Sequence, residues 1–304
     1  MQRAGRGTPH DRLTARAVRA WLYLTGRLSL RNIQRLGRVV GDIAYCVGGS
    51  PKRITRTNLS VCYPDLGENE LSALTRASLR QTGCYAAELG IAWGSDDRRW
   101  RTLIVDVRGE AVIDEARSRR RAILLLAPHF GNWEIANLYV GARLPLQVLY
   151  EPLPLQSLDP IAMAGRTRTG SRVAPLDMHG LRELYRALAR GEAAALLPDQ
   201  VPSRRSGDYA KFFGREALTM TLAHRLIEKF RPCVVAVYAK RLPRARGFEI
   251  DFERLRDVED ARDATESLAA MNAAIERIVA LDPAQYQWEY RRFRRARQPG
   301  ERIY

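Results

Sequence analysis

The pattern of apolar and polar positions divides the chain into two parts. Up to about residue 100, apolar residues recur at helical spacing, which predicts long helices over Leu13–Val47 and Leu71–Trp93. From about residue 103, short apolar runs alternate with amphipathic stretches, which is typical of strands that alternate with helices. We therefore predict a helical N-terminal region over residues 1–100 and an α/β core over residues 101–304, within a single domain.

The second part contains short apolar runs, each too short for a helix and long enough for a buried strand. The predicted strands are Ala122–Ala127, Leu146–Tyr150, Ala193–Leu197, Cys233–Ala239 and, more exposed than these, Phe248–Phe252. The predicted helices are Asn132–Arg143, His179–Arg190, Ala217–Phe230 and Ala264–Ala280. This succession predicts a mixed central sheet that is flanked by helices on both faces.

One stretch of the N-terminal region, Leu28–Gly49, is amphipathic, with apolar residues at helical spacing between several arginines. Two interpretations stay open for it. The stretch is either an ordinary helix that packs on the protein core, or a helix that lies in a membrane interface with its arginines at the headgroups. No window of the sequence supplies the roughly 20 apolar residues that a spanning helix needs.

The charge of the chain narrows the choice of partners. Its 304 residues include 50 Lys plus Arg against 34 Asp plus Glu, a formal net charge of +16 at pH 7. Such an excess favours nucleic acid, an anionic membrane, phosphorylated lipid or an acidic carrier protein. No pattern of a nucleic-acid-binding module accompanies the basic clusters, so nucleic acid is not expected. The scattered cysteines and the four histidines predict neither a metal centre nor a cofactor.

The candidate chemistry lies where the first buried strand ends. Pro128 ends the strand, His129 follows in a turn, and Asn132 can cap a helix whose first turn holds Glu134. Sites in open α/β sheets form beyond the carboxyl ends of the strands. We expect the Glu134 carboxylate to reach the far ring nitrogen of His129 and to make this residue a general base. Gly131 is expected to provide a positive φ or a close backbone approach. The alternative is a histidine that only caps a turn.

Several segments carry a resemblance to a known family. They are His-Phe-Gly-Asn-Trp-Glu at 129–134, Asn58-Leu-Ser-Val-Cys-Tyr-Pro64, Gly165-Arg-Thr-Arg168, Leu197-Pro-Asp-Gln200, Phe212–Thr219 and Gln287–Phe293. In this order they resemble the motifs of the lipid A biosynthesis acyltransferases, the Kdo-dependent lauroyl and myristoyl transferases of the lysophospholipid acyltransferase superfamily. The resemblance extends over most of the chain, and its first segment is similar to the family's His-x4-Asp/Glu motif.

The resemblance implies a fold like that of glycerol-3-phosphate acyltransferases, with a membrane-associating N-terminal extension. It implies that His129 is the catalytic base, oriented by Glu134, and that Asn132 and Gly131 belong to the substrate-binding residues. Arg166 falls at the family's functional arginine, which would hold phosphate or stabilise an oxyanion. Asp199 falls at a strand-end aspartate that would position this arginine or the acceptor.

The resemblance also implies the partners and the location of the protein. The acyl donor would be an acyl carrier protein, and the acceptor would be a hydroxyl of a phosphorylated lipid A precursor. The protein would lie on an anionic membrane surface, at the cytoplasmic face of a bacterial inner membrane, peripherally or with shallow insertion. No cofactor is implied.

Three alternatives stay open at this point. The same chemistry would serve another acceptor, such as a glycerolipid, an ornithine lipid or a polyene-type lipid. The chain would otherwise be a non-catalytic basic protein that binds a membrane or nucleic acid. With no acceptor bound, the same base would activate water, which is hydrolase activity. The sequence also does not assign its basic clusters to partners; these are Arg98–Arg101, Arg117–Arg121, Arg204–Arg205 and Arg291–Arg297.

Overall fold

The computed structural model describes residues 9–94, 96–153, 158–297 and 303–304, and over these residues the chain forms twelve α-helices and nine β-strands. The helices are α1 (Pro9–Thr25), α2 (Leu30–Val47), α3 (Gly49–Cys62), α4 (Glu68–Gly94), α5 (Asp97–Thr102), α6 (Ala111–Ser118), α7 (Trp133–Gly141), α8 (Asp159–Thr167), α9 (Met178–Ala189), α10 (Leu222–Phe230), α11 (Arg256–Glu259) and α12 (Ala264–Ala280). The strands are β1 (Ile104–Arg108), β2 (Ile123–Leu126), β3 (Leu146–Tyr150), β4 (Arg172–Pro175), β5 (Ala193–Leu196), β6 (Gly207–Phe212), β7 (Arg215–Met220), β8 (Cys233–Arg241) and β9 (Phe248–Arg254).

A seven-stranded sheet in the order β1-β9-β8-β2-β5-β3-β4 forms the centre of the protein. Its strands pair in parallel, except that β8 and β9 pair antiparallel, so the predicted mixed sheet is confirmed. The side chains of β2 alternate between two hydrophobic cores, with Ile123 and Leu125 in one and Leu124 and Leu126 in the other. A strand that is buried on both faces reads as a continuous apolar run, which is why the sequence reveals it.

The N-terminal helices pack together beside the sheet, and α2 lies closest to α4. Glycines make this approach possible, because a Cβ atom on Gly83 would lie 2.0 Å from the carbonyl oxygen of Gly37. The predicted stretch Leu13–Val47 is divided into α1 and α2, and Ser29 caps the start of α2. One side of α2 is therefore packed tightly against α4, whereas its outer side exposes apolar residues; these are Val39, Val40, Ile43 and Val47.

Two further predicted elements differ from the structure. Ala217–Phe230 was predicted as one helix, but its first residues belong to β7, which pairs antiparallel with β6 in a separate hairpin, and α10 begins at Leu222. Phe248–Phe252 was predicted as a more exposed strand, but β9 lies inside the sheet between β1 and β8. Its polar position Glu249 is also buried, because Arg108 and Lys240 pair with it.

Within residues 9–94, 96–153, 158–297 and 303–304, no helix has both the length and the apolar character that crossing a membrane requires.

Candidate active site

The parallel pairing of β2 and β5 determines which side chains meet at the carboxyl edge of the sheet. Leu126 pairs with Leu196, and three residues further along each chain segment stand His129 and Asp199, each preceded by a proline. Because the two strands run in register, these side chains face each other at one edge. His129 Nδ1 lies 2.7 Å from Asp199 Oδ1, and the His129 backbone N–H donates to Asp199 Oδ2 at 2.8 Å.

The charge of Asp199 fixes the tautomer of His129. Burial raises the pKa of Asp199, but the charge of His129 and hydrogen bonds from its ring and backbone outweigh burial, so the net pKa is lowered. An ionised carboxylate only accepts hydrogen bonds, so Nδ1 of His129 carries a proton, and in the neutral ring Nε2 presents its lone pair. The amide nitrogen of Gln200 lies 3.1 Å from this Nε2. The pair has the orientation of a general base and its supporting carboxylate.

The predicted hydrogen bond between Glu134 and His129 is wrong. Both residues belong to the described part of the chain, and the Glu134 carboxylate binds a different group, accepting from Arg166 Nε at 2.9 Å and from Nη2 at 2.6 Å. Glu134 lies in the first turn of α7 and faces α8, whereas its neighbour Trp133 contacts the His129 ring, with the ring centroids 4.9 Å apart. A carboxylate does bind Nδ1 of His129, as expected, but it belongs to Asp199 and not to Glu134.

Arg166 and Glu134 form a second charged pair near this site. Burial lowers the pKa of Arg166, but Glu134 raises it more strongly, so the guanidinium stays charged. The cation lies between the rings of Trp93 and Tyr150, 5.6 and 5.7 Å from their centroids. A Cβ atom on Gly165 would lie 2.5 Å from the Trp93 ring, which accounts for the glycine before Arg166. Arg166 is thus a cation held in a fixed orientation, which suits the binding of an anionic group.

Gly131 and Asn132 shape the turn that carries His129. Gly131 has a φ of +62°, and a Cβ atom there would lie 2.1 Å from the Ala239 carbonyl oxygen, so both expectations for this glycine are confirmed. Asn132 caps α7 by accepting from the Ile135 N–H, and its amide donates to Glu88 Oε2 at 2.9 Å. Because Asn132 is fully buried with these partners, the structure does not place it where a substrate would contact it.

Sequence reasoning missed the buried ion pair of Glu88 and Arg241. Arg241 Nε donates to Glu88 Oε1 at 2.7 Å, and Nη2 donates to Oε2 at 2.6 Å. Gln34 and Asn132 donate to the same carboxylate, so each of its two oxygens accepts two hydrogen bonds from the protein. A signal was present, because Glu88 interrupts the apolar face of the predicted helix Leu71–Trp93.

A shallow cleft of about 10 Å³, which has room for about one water molecule, lies next to the turn that carries His129. It lies between α4, the start of α7 and the C-terminal segment, and it is lined by Gln81, Thr82, Tyr85, Gly131, Trp133, Gln285, Tyr286 and Gln287. The Gln287 N–H donates to the His129 carbonyl oxygen at 3.0 Å, and Asn58 donates to the carbonyl oxygens of Trp288 and Tyr290. The structure thus brings three separated sequence motifs together beside one histidine. In the described ranges, no group of three or more His, Cys, Asp or Glu side chains is arranged to hold a metal ion.

Known proteins resemble this chain over almost its full length. The family described as "Bacterial lipid A biosynthesis acyltransferase" matches residues 9–295. The lipid A biosynthesis lauroyltransferase of Escherichia coli (strain K12) is 28% identical over 277 residues, which cover 90% of this chain and 89% of that protein. The lipid A biosynthesis palmitoleoyltransferase of the same strain is 28% identical over 260 residues (85% and 84%). The myristoyltransferase is 25% identical over 277 residues (88% and 81%). The resemblance that the motifs indicate is confirmed.

Proposed function

This chain belongs to the bacterial lipid A biosynthesis acyltransferase family, and we propose that it transfers a fatty acyl chain from an acyl carrier protein to a hydroxyl of a lipid A precursor. The observation that carries this proposal is the 2.7 Å contact between Asp199 and His129 at the carboxyl edge of the sheet. It leaves Nε2 of His129, whose side chain is partly exposed, as a proton acceptor at this edge, which is the requirement for activating a hydroxyl.

The proposed reaction is a direct transfer. The acceptor hydroxyl takes the place of Gln200 as the hydrogen-bond partner of His129 Nε2, and its oxygen attacks the thioester carbonyl carbon as its proton passes to Nε2. Asp199 stabilises the imidazolium that forms. The tetrahedral intermediate then breaks its C–S bond, and the leaving thiolate takes the proton from Nε2. Base catalysis of this type contributes about 10²- to 10⁴-fold in rate.

Arg166 is the proposed binder of negative charge. Two of its nitrogens are held by Glu134, so the guanidinium has a fixed position before any ligand arrives. In this proposal the Arg166 guanidinium binds either a phosphate of the lipid acceptor or the oxyanion of the tetrahedral intermediate. Glu134 then acts through Arg166, as a positioning residue, and both residues of the His-x4-Glu motif serve the same reaction by different routes.

The proposed location is the cytoplasmic face of a bacterial inner membrane. The outer side of α2 supports peripheral or shallow association, because Val39, Ile43 and Val47 are exposed there among arginines of the same helix. An interfacial helix places such apolar residues among the acyl chains and its cations at the headgroups. A membrane-bound position would bring the cleft to the lipid acceptor. The arrangement of the sheet and its flanking helices is compatible with the expected likeness to glycerol-3-phosphate acyltransferases, which we keep as part of the proposal.

The test is a transfer assay on the detergent-solubilised protein with a radiolabelled Kdo-bearing lipid A precursor. Acyl carrier proteins loaded with chains of several lengths serve as donors, and His129→Ala is assayed alongside. We expect the wild type to acylate the precursor and His129→Ala to be slower by about 10²- to 10⁴-fold. Acylation of a glycerolipid or ornithine lipid instead of the precursor would overturn the acceptor. Equal activity of wild type and His129→Ala would overturn the base.

A further inference from the structure

Two basic clusters that are far apart in sequence lie together in the structure. The Tyr209 hydroxyl accepts from Arg204 Nη1 at 3.3 Å and donates to the Ala296 carbonyl oxygen at 3.0 Å. Arg297, at the end of the second cluster, lies with its guanidinium 5.8 Å from the centroid of the Tyr209 ring. The loop after β5 and the C-terminal segment thus form one continuous basic surface.

This surface adjoins the candidate active site. Arg294 donates to the carbonyl oxygen of Val201 at 3.3 Å, and the Val201 N–H donates to the Tyr290 hydroxyl at 2.9 Å. The residue before Val201 is Gln200, whose amide contacts His129 Nε2. A short chain of contacts therefore joins the arginines to the atom that accepts the proton in the proposed reaction.

The cluster Arg117–Arg121 lies at the opposite edge of the sheet. It precedes β2, whereas His129 follows β2. The eight residues from Arg121 to His129 span roughly 25 Å at the rise of an extended strand. Part of this cluster is also neutralised, because Arg119 pairs with Glu115 and Arg121 pairs with Glu259.

The arginines beside the active site carry charge that is not neutralised. The five that are at least partly exposed and have no ion-pair partner among the described residues are Arg204, Arg205, Arg291, Arg294 and Arg295, and we name this set the carboxyl-edge arginine surface. Arg297 pairs with Glu216, and Asp208 is the nearby exposed carboxylate of the same hairpin. The large exposed apolar residues of the described chain lie elsewhere, so this surface has an excess of basic side chains and lacks large exposed apolar ones. Anionic lipid also attracts basic clusters. The position of this surface beside Nε2 of His129, however, suits a partner that brings the thioester to that atom, and the opposite charge suits an acidic protein.

We propose that the carboxyl-edge arginine surface docks the acidic carrier protein that delivers the acyl thioester. This inference rests on the proposed function, which requires a protein-bound donor. A carrier protein presents its acyl group on a flexible arm, so it must bind close to the site that receives the thioester. Opposite charges steer such an encounter and orient the partner, and the effect weakens as salt screens it.

The test compares two double variants that change the net charge equally. Arg205→Glu/Arg291→Glu reverses two exposed arginines of the proposed surface, and Arg117→Glu/Arg120→Glu reverses two exposed arginines at the opposite edge. Binding of fluorescently labelled acyl carrier protein is followed by anisotropy at several salt concentrations, and thermal unfolding verifies that each variant is folded. We expect the first variant to bind about tenfold more weakly or worse, with a smaller salt dependence, and the second to bind like the wild type.

Steady-state kinetics separate docking from chemistry. We expect Arg205→Glu/Arg291→Glu to raise the KM for the acylated carrier protein while kcat at saturating donor stays within about twofold of the wild type. Equal carrier binding by wild type and this variant would overturn the inference. An equal loss of carrier binding in both double variants would overturn it too. The same holds if Arg205→Glu/Arg291→Glu binds phosphatidylglycerol vesicles more weakly than the wild type but binds the carrier protein equally well. Failure of the proposed function gives a different result, namely carrier binding without transfer to any lipid.

Discussion

Glu289 is a carboxyl group that the protein buries with one oxygen unpaired. Its Oε1 accepts from the Thr82 hydroxyl of α4, and its Oε2 is inaccessible to solvent and has no hydrogen-bond partner. Burial raises the pKa of Glu289 from 4.5 to about 7. The folded protein therefore holds a proton on this group over a pH range in which the unfolded chain has released it.

We predict that Glu289→Gln removes part of the pH dependence of stability. Because the pKa of Glu289 is raised in the folded state, its neutral acid contributes fully to the free energy of unfolding below pH 4.5. This contribution is lost as the pH rises through about 7. The amide of glutamine stays neutral and still accepts from Thr82. Between pH 5 and pH 8 the free energy of unfolding of the wild type should fall by up to about 3 kcal/mol relative to that of the variant. Urea unfolding of both proteins at the two pH values measures this, and parallel pH dependences would contradict it.

The sequence predicts the base at residue 129 and the chemistry of its partner, but not which carboxylate the partner is. The five-residue offset to Glu134 is visible in one segment, whereas the contact with Asp199 depends on β2 and β5 being neighbours in register. Strand order is not readable from single segments. The matching Pro-His and Pro-Asp pairs, each at the same distance from a buried strand, are the signal that would have indicated the correct partner.

Glu88 joins elements that are distant in sequence. It extends from α4 to Arg241 at the end of β8, and it also binds Gln34 of α2 and the Asn132 cap of α7. The turn that carries His129 is therefore connected to the N-terminal helices through one carboxylate. Breaking a buried ion pair by removing one charge leaves the other charge without compensation, which is strongly destabilising.

We predict that Glu88→Gln lowers the free energy of unfolding by about 3 to 5 kcal/mol. Glu68→Gln on the same helix is the matched control, because Glu68 pairs with Arg56 at the surface and is 75% exposed. Exposed pairs contribute about 0 to 1 kcal/mol, so the control should remain close to the wild type. Guanidinium unfolding measures both variants. If Glu88→Gln lowers the free energy of unfolding by no more than Glu68→Gln does, the proposed connecting role of this ion pair is contradicted.

The elements that the sequence predicts best are those with a continuous apolar run or a long helical period. β2 and β5 were predicted within about one residue, which is the usual uncertainty of element ends. β7 was taken for part of a helix because Ala217 and Leu218 also fit a helical pattern, and its pairing with β6 depends on a turn whose Phe213 and Gly214 both have positive φ. The edge strand β4 ends in Pro175 and carries no strong pattern.

The molecule presents two different surfaces to two proposed partners. The outer side of α2 combines exposed apolar residues with arginines, and the carboxyl-edge arginine surface has basic side chains without large exposed apolar ones. This division accounts for a high net charge without invoking nucleic acid. It also allows the protein to bind a membrane and a carrier protein at the same time.

We predict that Ile43→Glu weakens binding to vesicles that contain phosphatidylglycerol. The isoleucine is 57% exposed on α2, and Val105, which is 58% exposed on the edge strand β1, offers a matched control. Losing the insertion of one large apolar side chain costs about 1.5 to 3 kcal/mol, or roughly tenfold or more in affinity. Sedimentation with vesicles measures binding. Unchanged binding of Ile43→Glu, or an equal loss in Val105→Glu, would contradict the proposed orientation.

The pairing of Asp199 with His129 is best tested by a double-mutant cycle on kcat for acyl transfer. His129→Ala and Asp199→Asn should each lower kcat by about 10²- to 10⁴-fold, and their combination should be no slower than His129→Ala alone, since Asp199 acts only through His129. In the same cycle, Glu134→Gln should lower kcat further when it is added to His129→Ala, since Glu134 acts through Arg166. An Asp199→Asn variant that keeps kcat within about tenfold of the wild type would contradict this account of the site. So would the reverse pattern of the cycles, in which the effect of Glu134→Gln on kcat disappears in the His129→Ala background and the effect of Asp199→Asn persists there.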